Sequence, residues 1–229
     1  MQLMRKYGVF IFWVALYGHC AFIYLQKNYY ADLSKMALMP ILILLLYAQT
    51  KNRKPSTTRT LVYGALWAAY LGDLLLLLDD TVFFLSGMLA FMVTHVLYSG
   101  LFLRLVSFNP KRSTEFILTL LGLGLVSYKL YQFLSPHIDQ SIIRYGILVY
   151  MGIISFMAAC AANVMSSKLF KTLGVGFFFP GAILFVLSDA VLAANMFYYK
   201  EPFLRIVVMM TYGYAQWLMV MGFIRHLKT

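Results

Sequence analysis

The chain has 229 residues, 62% of them hydrophobic and only 12% charged, against a charged share of about 25% in ordinary soluble domains. With a mean hydropathy of +0.78 and apolar stretches recurring along its length, it leaves no tract for a soluble domain. The formal net charge of +11 would suggest a nucleic-acid partner in a soluble protein. In a membrane chain the excess of lysine and arginine is explained by retention on the cytoplasmic side, so no nucleic acid is expected.

Apolar runs broken by short polar turns predict eight helices, at about 7–25, 34–49, 60–78, 82–106, 115–134, 141–163, 174–197 and 203–224. Most approach or exceed the roughly 17 to 25 residues that cross a bilayer. The first run follows Arg5 and Lys6 as a signal peptide would, but it is as long as a full span and lacks a small-x-small cleavage site, so it reads as helix 1. Gly18-His19-Cys20 does not make a lipoprotein site, because histidine stands where a small residue is needed. Helix 2 is the shortest; it begins beside Lys35 and carries Pro40 near its middle, which predicts a kink or tilt. Cys20 and Cys160 both fall within spans and are expected as buried thiols without a disulfide. The expected fold is all-α, a single polytopic membrane domain over residues 1–229 built as an eight-helix bundle.

An even number of spans puts both termini on one side. That side collects Arg5, Lys6, Lys51, Arg53, Lys54, Arg59, Arg104, Lys111, Arg112, Lys168, Lys171, Arg225 and Lys228. The opposite side holds Lys27, Lys35, Lys129, Arg144, Lys200 and Arg205, together with Asp32, Asp79, Asp80, Asp139 and Glu201. The bias assigns both termini to the cytoplasm, in the inner membrane of a bacterium or the endoplasmic reticulum of a eukaryote.

Two aspartates interrupt the apolar runs: Asp73 in residues 65–78 (ALWAAYLGDLLLLL) and Asp189 in residues 177–197 (FFFPGAILFVLSDAVLAANMF). A carboxylate inside a bilayer costs at least about 2.5 to 3.5 kcal/mol on insertion scales, so each is a candidate functional group that needs a partner or a polar cavity. Helices 3 and 7 both run outward, and the predicted ends place the acids about 8 and 12 Å below the outer surface. A cavity open to that side would hold both. Gly72 and Ser188 precede the two acids, and Tyr98 and Tyr214 each follow 25 residues later, a spacing compatible with a parallel four-plus-four repeat.

The other intramembrane polar groups include His19, Lys35, His95, Tyr98, Asn163, Asn195, Tyr212, Tyr214 and Gln216. His95 and Gln216 lie about 20 Å below the outer face and would form the cavity floor. The bland alternatives are a core histidine bonded to a carbonyl for His95 and a snorkelling lysine for Lys35. No metal site is expected, since there is no His-Glu-x-x-His helix, paired cysteines or histidine cluster, and no Gly-x-Ser-x-Gly elbow marks a serine hydrolase. Two buried carboxylates divide acid and base roles in hydrolysis through an acid-triggered cation, or exchange protons in a carrier of a small amphiphile. Spacing alone does not choose between them.

The run Gly72-Asp73-x-x-Leu76 followed by Phe84, Gly87, Phe91, His95 and Tyr98 resembles the signature of the YhhN-like family, whose characterised animal members are lysoplasmalogenases. The later PGAILFVLSD segment (180–189) and the YGYAQ run (212–216) are similar to that family's second half. Lys35 and Pro40 resemble its early lysine and proline, though more widely separated here. The resemblance covers helices 2 to 8 and implies hydrolysis of the vinyl ether bond of a lysoplasmalogen, with one of Asp73 and Asp189 as proton donor and the other orienting water and stabilising the cation, the order left open by the residues. It further implies His95 holding a carboxylate or water, and Lys35, Tyr98, Tyr212 and Gln216 contacting the lipid. A lysophospholipid substrate and surrounding membrane lipids are the expected partners, with no cofactor and no obligate protein partner.

Overall fold

A computed structural model of the chain describes residues 1–78, 80–109 and 113–228. Asp79, Lys111 and Arg112, used above in the charge asymmetry, lie outside the described residues. Among the described residues the fold is helical throughout: α1 (Gln2–Tyr24), α2 (Asn28–Thr50), α3 (Thr57–Leu75), α4 (Thr81–Leu105), α5 (Thr114–Leu134), α6 (Ser141–Met165), α7 (Lys171–Tyr199) and α8 (Pro202–Lys228). Seven are long and apolar enough to cross a membrane; α3 is the exception. Its apolar run is diluted by Thr57, Thr58, Arg59 and Thr60 at one end and Asp73 at the other. The molecule is a multi-pass integral membrane protein.

Helices pair in chain order, α1 with α2, α3 with α4, α5 with α6 and α7 with α8. Between pairs, α6 packs on α4 and α7, while α8 packs on α1 and α2 and touches α3. Helices α6 and α8 are the most enclosed, whereas α5 leans chiefly on α6 and leaves most of its surface outward. Both termini lie at one end of the bundle, where Gln49 donates to the Arg5 carbonyl and accepts from Lys228 Nζ at 2.6 Å. The thiols of Cys20 and Cys160 are free and buried.

Local chemistry moves several boundaries. Helix α2 is not the shortest: it starts at Asn28, is 23 residues long and runs on through Pro40. The turn before it is only Leu25–Lys27, tightened by Gln26 at φ 56°, so Lys35 stands in the second turn of the helix rather than at its edge. Helix α3 stops at Leu75, and the Asp80 side chain then caps α4 by accepting from the Val82 N–H at 2.7 Å. The leucine run carries no signal for that stop. Asp73 is therefore two residues from the helix end, closer than the predicted five.

Helix α7 is not uniformly α. It opens with a short turn, widens to π over Gly174–Phe178, is α over Phe179–Ala194 and widens again over Asn195–Tyr199. The first π turn precedes Pro180, which has no N–H and whose ring crowds the carbonyl four residues back, so a wider turn relieves the clash. The second ends at Lys200, left-handed at φ 56°, with Asn195 Oδ1 accepting from the Glu201 N–H.

Gly174 lets α7 approach the end of α6 backbone to backbone: a Cβ there would sit 2.8 Å from the Met165 nitrogen and 3.0 Å from its Cα. Because main chain cannot swing aside as a side chain does, Gly174→Ala is expected to cost about 1 to 3 kcal/mol. A denaturant titration of the detergent-solubilised protein checks this; an unchanged midpoint would contradict the close approach.

Candidate functional site

Asp73 is 3% exposed, and both its oxygens are engaged. The Tyr212 hydroxyl of α8 donates to Oδ2 at 2.7 Å, and Lys35 Nζ of α2 lies 3.7 Å from Oδ1. Behind Tyr212 the chain of bonds continues inward: Gln216 Nε2 reaches the Tyr212 hydroxyl at 3.5 Å, and the Tyr98 hydroxyl donates to Gln216 Oε1 at 2.9 Å. Tyr98 ends the series, its ring stacked with Phe102 and Phe223 in the core.

Asp189 has a separate set of partners. The Tyr150 hydroxyl of α6 donates to Oδ2 at 2.5 Å, and His95 Nε2 of α4 lies 2.9 Å from that hydroxyl and 3.4 Å from the same carboxylate oxygen. Since the Tyr150 proton is directed at Asp189, the bond between His95 and Tyr150 requires the hydrogen on His95 Nε2. The imidazole is held edge-on against Phe185 and is fully buried.

The two acids face one cavity of about 450 Å³. Its mouth is marked by exposed Asp80, Thr81 and Arg205, at the end of the bundle away from the termini, and its wall includes His19, Asp32, Lys35 and Tyr212. Asp189 also lines a second cavity of about 90 Å³, bordered by Tyr150 and Ser127 and otherwise by apolar side chains of α4 to α7 such as Met88, Leu130, Ile147, Met151 and Phe197. Leu76, Phe84, Phe91, Leu192 and Met196 belong to both cavities. A polar chamber with cations and carboxylates thus adjoins an apolar slot, and Asp189 stands at the junction. Such a shape fits an amphiphile.

Of the residues singled out by sequence, Asp73, Asp189, Lys35, Tyr212, His19 and Asn195 line the larger cavity. His95, Tyr98 and Gln216 do not: they stand behind it and reach it through Tyr150 and Tyr212. The floor expected from His95 and Gln216 is one layer too deep. The duplication of spacing has no counterpart in environment, because Tyr98 is buried against Gln216 while Tyr214 pairs with Tyr17 on the outer side. Asn163 bonds the Val106 carbonyl, away from the acids.

Sequence reasoning missed Tyr150, one tyrosine among seventeen, whose apolar neighbours give no sign that it meets an acid 39 residues away. It also missed Arg205, which reads as an ordinary cation in the first turn of the last helix. Among the described residues no group of three or more histidine, cysteine or acidic side chains is arranged to hold a metal ion.

The sequence profile of the YhhN family matches residues 30–223. The chain is 33% identical over 172 residues to lysoplasmalogenase TMEM86A of Bos taurus, covering 73% of this chain and 66% of that protein. It is 33% identical over 193 residues to lysoplasmalogenase TMEM86B of Mus musculus, covering 83% and 75%. Against the TMEM86B protein of Homo sapiens, also named a lysoplasmalogenase, it is 28% identical over 201 residues. No solved structure matches the chain.

The pairing of Lys35 with Asp73 carries a testable consequence. Removing one partner of an enclosed ion pair strands the other charge, whereas removing both does not. Lys35→Met is expected to lower stability by about 3 kcal/mol, and adding Asp73→Asn to restore most of the loss. Unfolding of the two single variants and the double variant measures the coupling; additive losses would show that the two groups act independently.

Proposed function

The chain belongs to the YhhN family, and on that premise we propose that it is a lysoplasmalogenase-type hydrolase, cleaving the vinyl ether of a single-chain ether phospholipid to a fatty aldehyde and a glycerophospho-alcohol. The observation that carries the reading is the position of Asp189 where the polar cavity meets the apolar slot. A lysoplasmalogen has its reactive bond at the same kind of boundary, between glycerol and hydrocarbon. The headgroup would occupy the larger cavity, with its phosphate toward Lys35 and Arg205, and the alkenyl chain would lie in the slot beside Met151 and Phe197.

The chemistry asks for a proton donor and a nearby negative charge. Asp189, as the protonated acid, delivers its proton to the outer alkene carbon, leaving an oxocarbenium ion at the carbon bonded to oxygen. Asp73, paired with Lys35 and oriented by Tyr212, stabilises that cation and takes a proton from the water that attacks it. The hemiacetal so formed breaks its bond to the glycerol oxygen, which leaves as an alcohol once protonated, and the aldehyde departs. Asp73 passes the proton it took from water to the glycerol oxygen, the hemiacetal hydroxyl gives its proton to Asp189 as it becomes the aldehyde carbonyl, and with one water consumed both carboxyl groups are restored. Tyr150 and His95 position the Asp189 carboxyl, while Gln216 and Tyr98 hold Tyr212. The same reading places the terminal face, with Arg5, Arg53 and Lys228 around Gln49, in the cytoplasm and opens the cavity to the opposite side.

Purified protein is expected to release aldehyde from a lysoplasmalogen and none from an ester lysophospholipid. Asp189→Asn and Asp73→Asn should each lower kcat by about 100-fold or more, the usual reach of acid–base groups, and Tyr150→Phe by a smaller factor with KM little changed. A folded wild-type protein that releases no aldehyde would sink the vinyl ether assignment. Proton-driven uptake into liposomes would then be the reading to pursue.

A further inference from the structure

His19 is a buried polar group of the cavity wall that the mechanism above leaves without a task. It sits on α1, is 3% exposed and lines the larger cavity. Its Nδ1 lies 2.9 Å from both the Ala31 carbonyl and the Ser34 hydroxyl of α2. The Ser34 hydroxyl itself donates to the Ala31 carbonyl at 2.8 Å. A carbonyl only accepts, so the hydrogen of the neutral ring is on Nδ1 and the other nitrogen, Nε2, carries a bare lone pair. That atom is buried and has no hydrogen-bond partner. An unsatisfied buried acceptor is destabilising, and the two bonds at Nδ1 hold the ring in this orientation.

We propose that His19 Nε2 accepts a hydrogen bond from the free glycerol hydroxyl of a single-chain phospholipid, and so makes His19 the residue that recognises the unacylated position. The inference rests on the lipid-binding reading of the cavity given above. The order of groups supports the hydroxyl as the donor. Ser34, which anchors the ring, is next in sequence to Lys35, and Lys35 reaches Asp73. In the lipid, the carbon bearing the free hydroxyl is likewise flanked by the carbons that carry the phosphate and the ether. A choline ammonium has no N–H to offer, and an ethanolamine ammonium would pair with the Asp32 or Asp80 carboxylate on the same wall in preference to a neutral imidazole. A second acyl chain at this position would remove the donor and push hydrocarbon against the imidazole. A site built to bond a hydroxyl rejects an analogue that lacks it far more strongly than an apolar wall discriminates size.

The test measures binding apart from turnover. Three saturated 1-O-alkyl phosphocholine lipids, with a free 2-hydroxyl, with hydrogen in its place and with a 2-O-methyl group, compete with a fluorescent lysophosphatidylcholine for the detergent-purified protein. The saturated ether is not a vinyl ether, so the result does not depend on cleavage. Wild type is expected to prefer the hydroxyl lipid about tenfold or more over both others, and His19→Phe to bring all three within about threefold. Equal displacement by the three lipids in wild type, or a preference that survives His19→Phe, overturns the proposal. Should His19→Phe fail to fold, the wild-type series decides, with His19→Gln as a second variant that retains a side-chain acceptor and part of the preference. Failure of the hydrolase reading is separately visible: no aldehyde from the vinyl ether lipid, whatever the hydroxyl preference.

Discussion

The arrangement of this bundle depends on one electrostatic demand, that two carboxylates placed among apolar helices must be given partners. Each acid is met from more than one helix: Asp73 by Lys35 of α2 and Tyr212 of α8, Asp189 by Tyr150 of α6 and His95 of α4. Four helices therefore contribute partners and two carry the acids, so six of the eight meet at one acid or the other. An ion or hydrogen bond enclosed by protein is worth more than at a wet surface, and its loss is correspondingly expensive. The polar network specifies how the helices meet, where packing of leucine on leucine would tolerate many rotations.

The two acids are held in unlike ways, and the difference is chemical. Asp73 faces the Lys35 ammonium and the Tyr212 hydroxyl. Asp189 faces a phenol and an imidazole and borders an apolar slot. The line of Tyr98, Gln216 and Tyr212 ends in stacked rings, so it stiffens Asp73 from behind.

Close backbone approach completes the frame. Gly174 admits α7 to the end of α6, and Gly87 comes against Leu76 and the Gly72 carbonyl, where a Cβ would lie within 2.9 Å of the leucine and 3.3 Å of the oxygen. In a membrane, where apolar helices gain little from leaving lipid, small residues that allow intimate packing supply much of the association. The second of these contacts draws α4 against α3 directly beside the cavity, whose wall includes Leu76 and Phe91.

By itself the sequence determined the class of the molecule and its two central groups. Long apolar runs require helices that satisfy their own backbone, and an acid within such a run is rare enough to stand out, as Asp73 and Asp189 did. The motif around them and the YGYAQ run also pointed to the family. Only the tertiary structure decided the partners, because each partner arrives from another helix at a large separation in the chain: 55 residues from His95 to Tyr150, 118 from Tyr98 to Gln216, 139 from Asp73 to Tyr212. Tyr150 looked like any other tyrosine, and His95 and Gln216 looked like a cavity floor, since helical depth is readable from residue count but the rotation of a helix about its axis is not when it is apolar on nearly every side. That rotation is set by which polar atoms find one another, and it also brings the otherwise unremarkable His19 to the cavity wall.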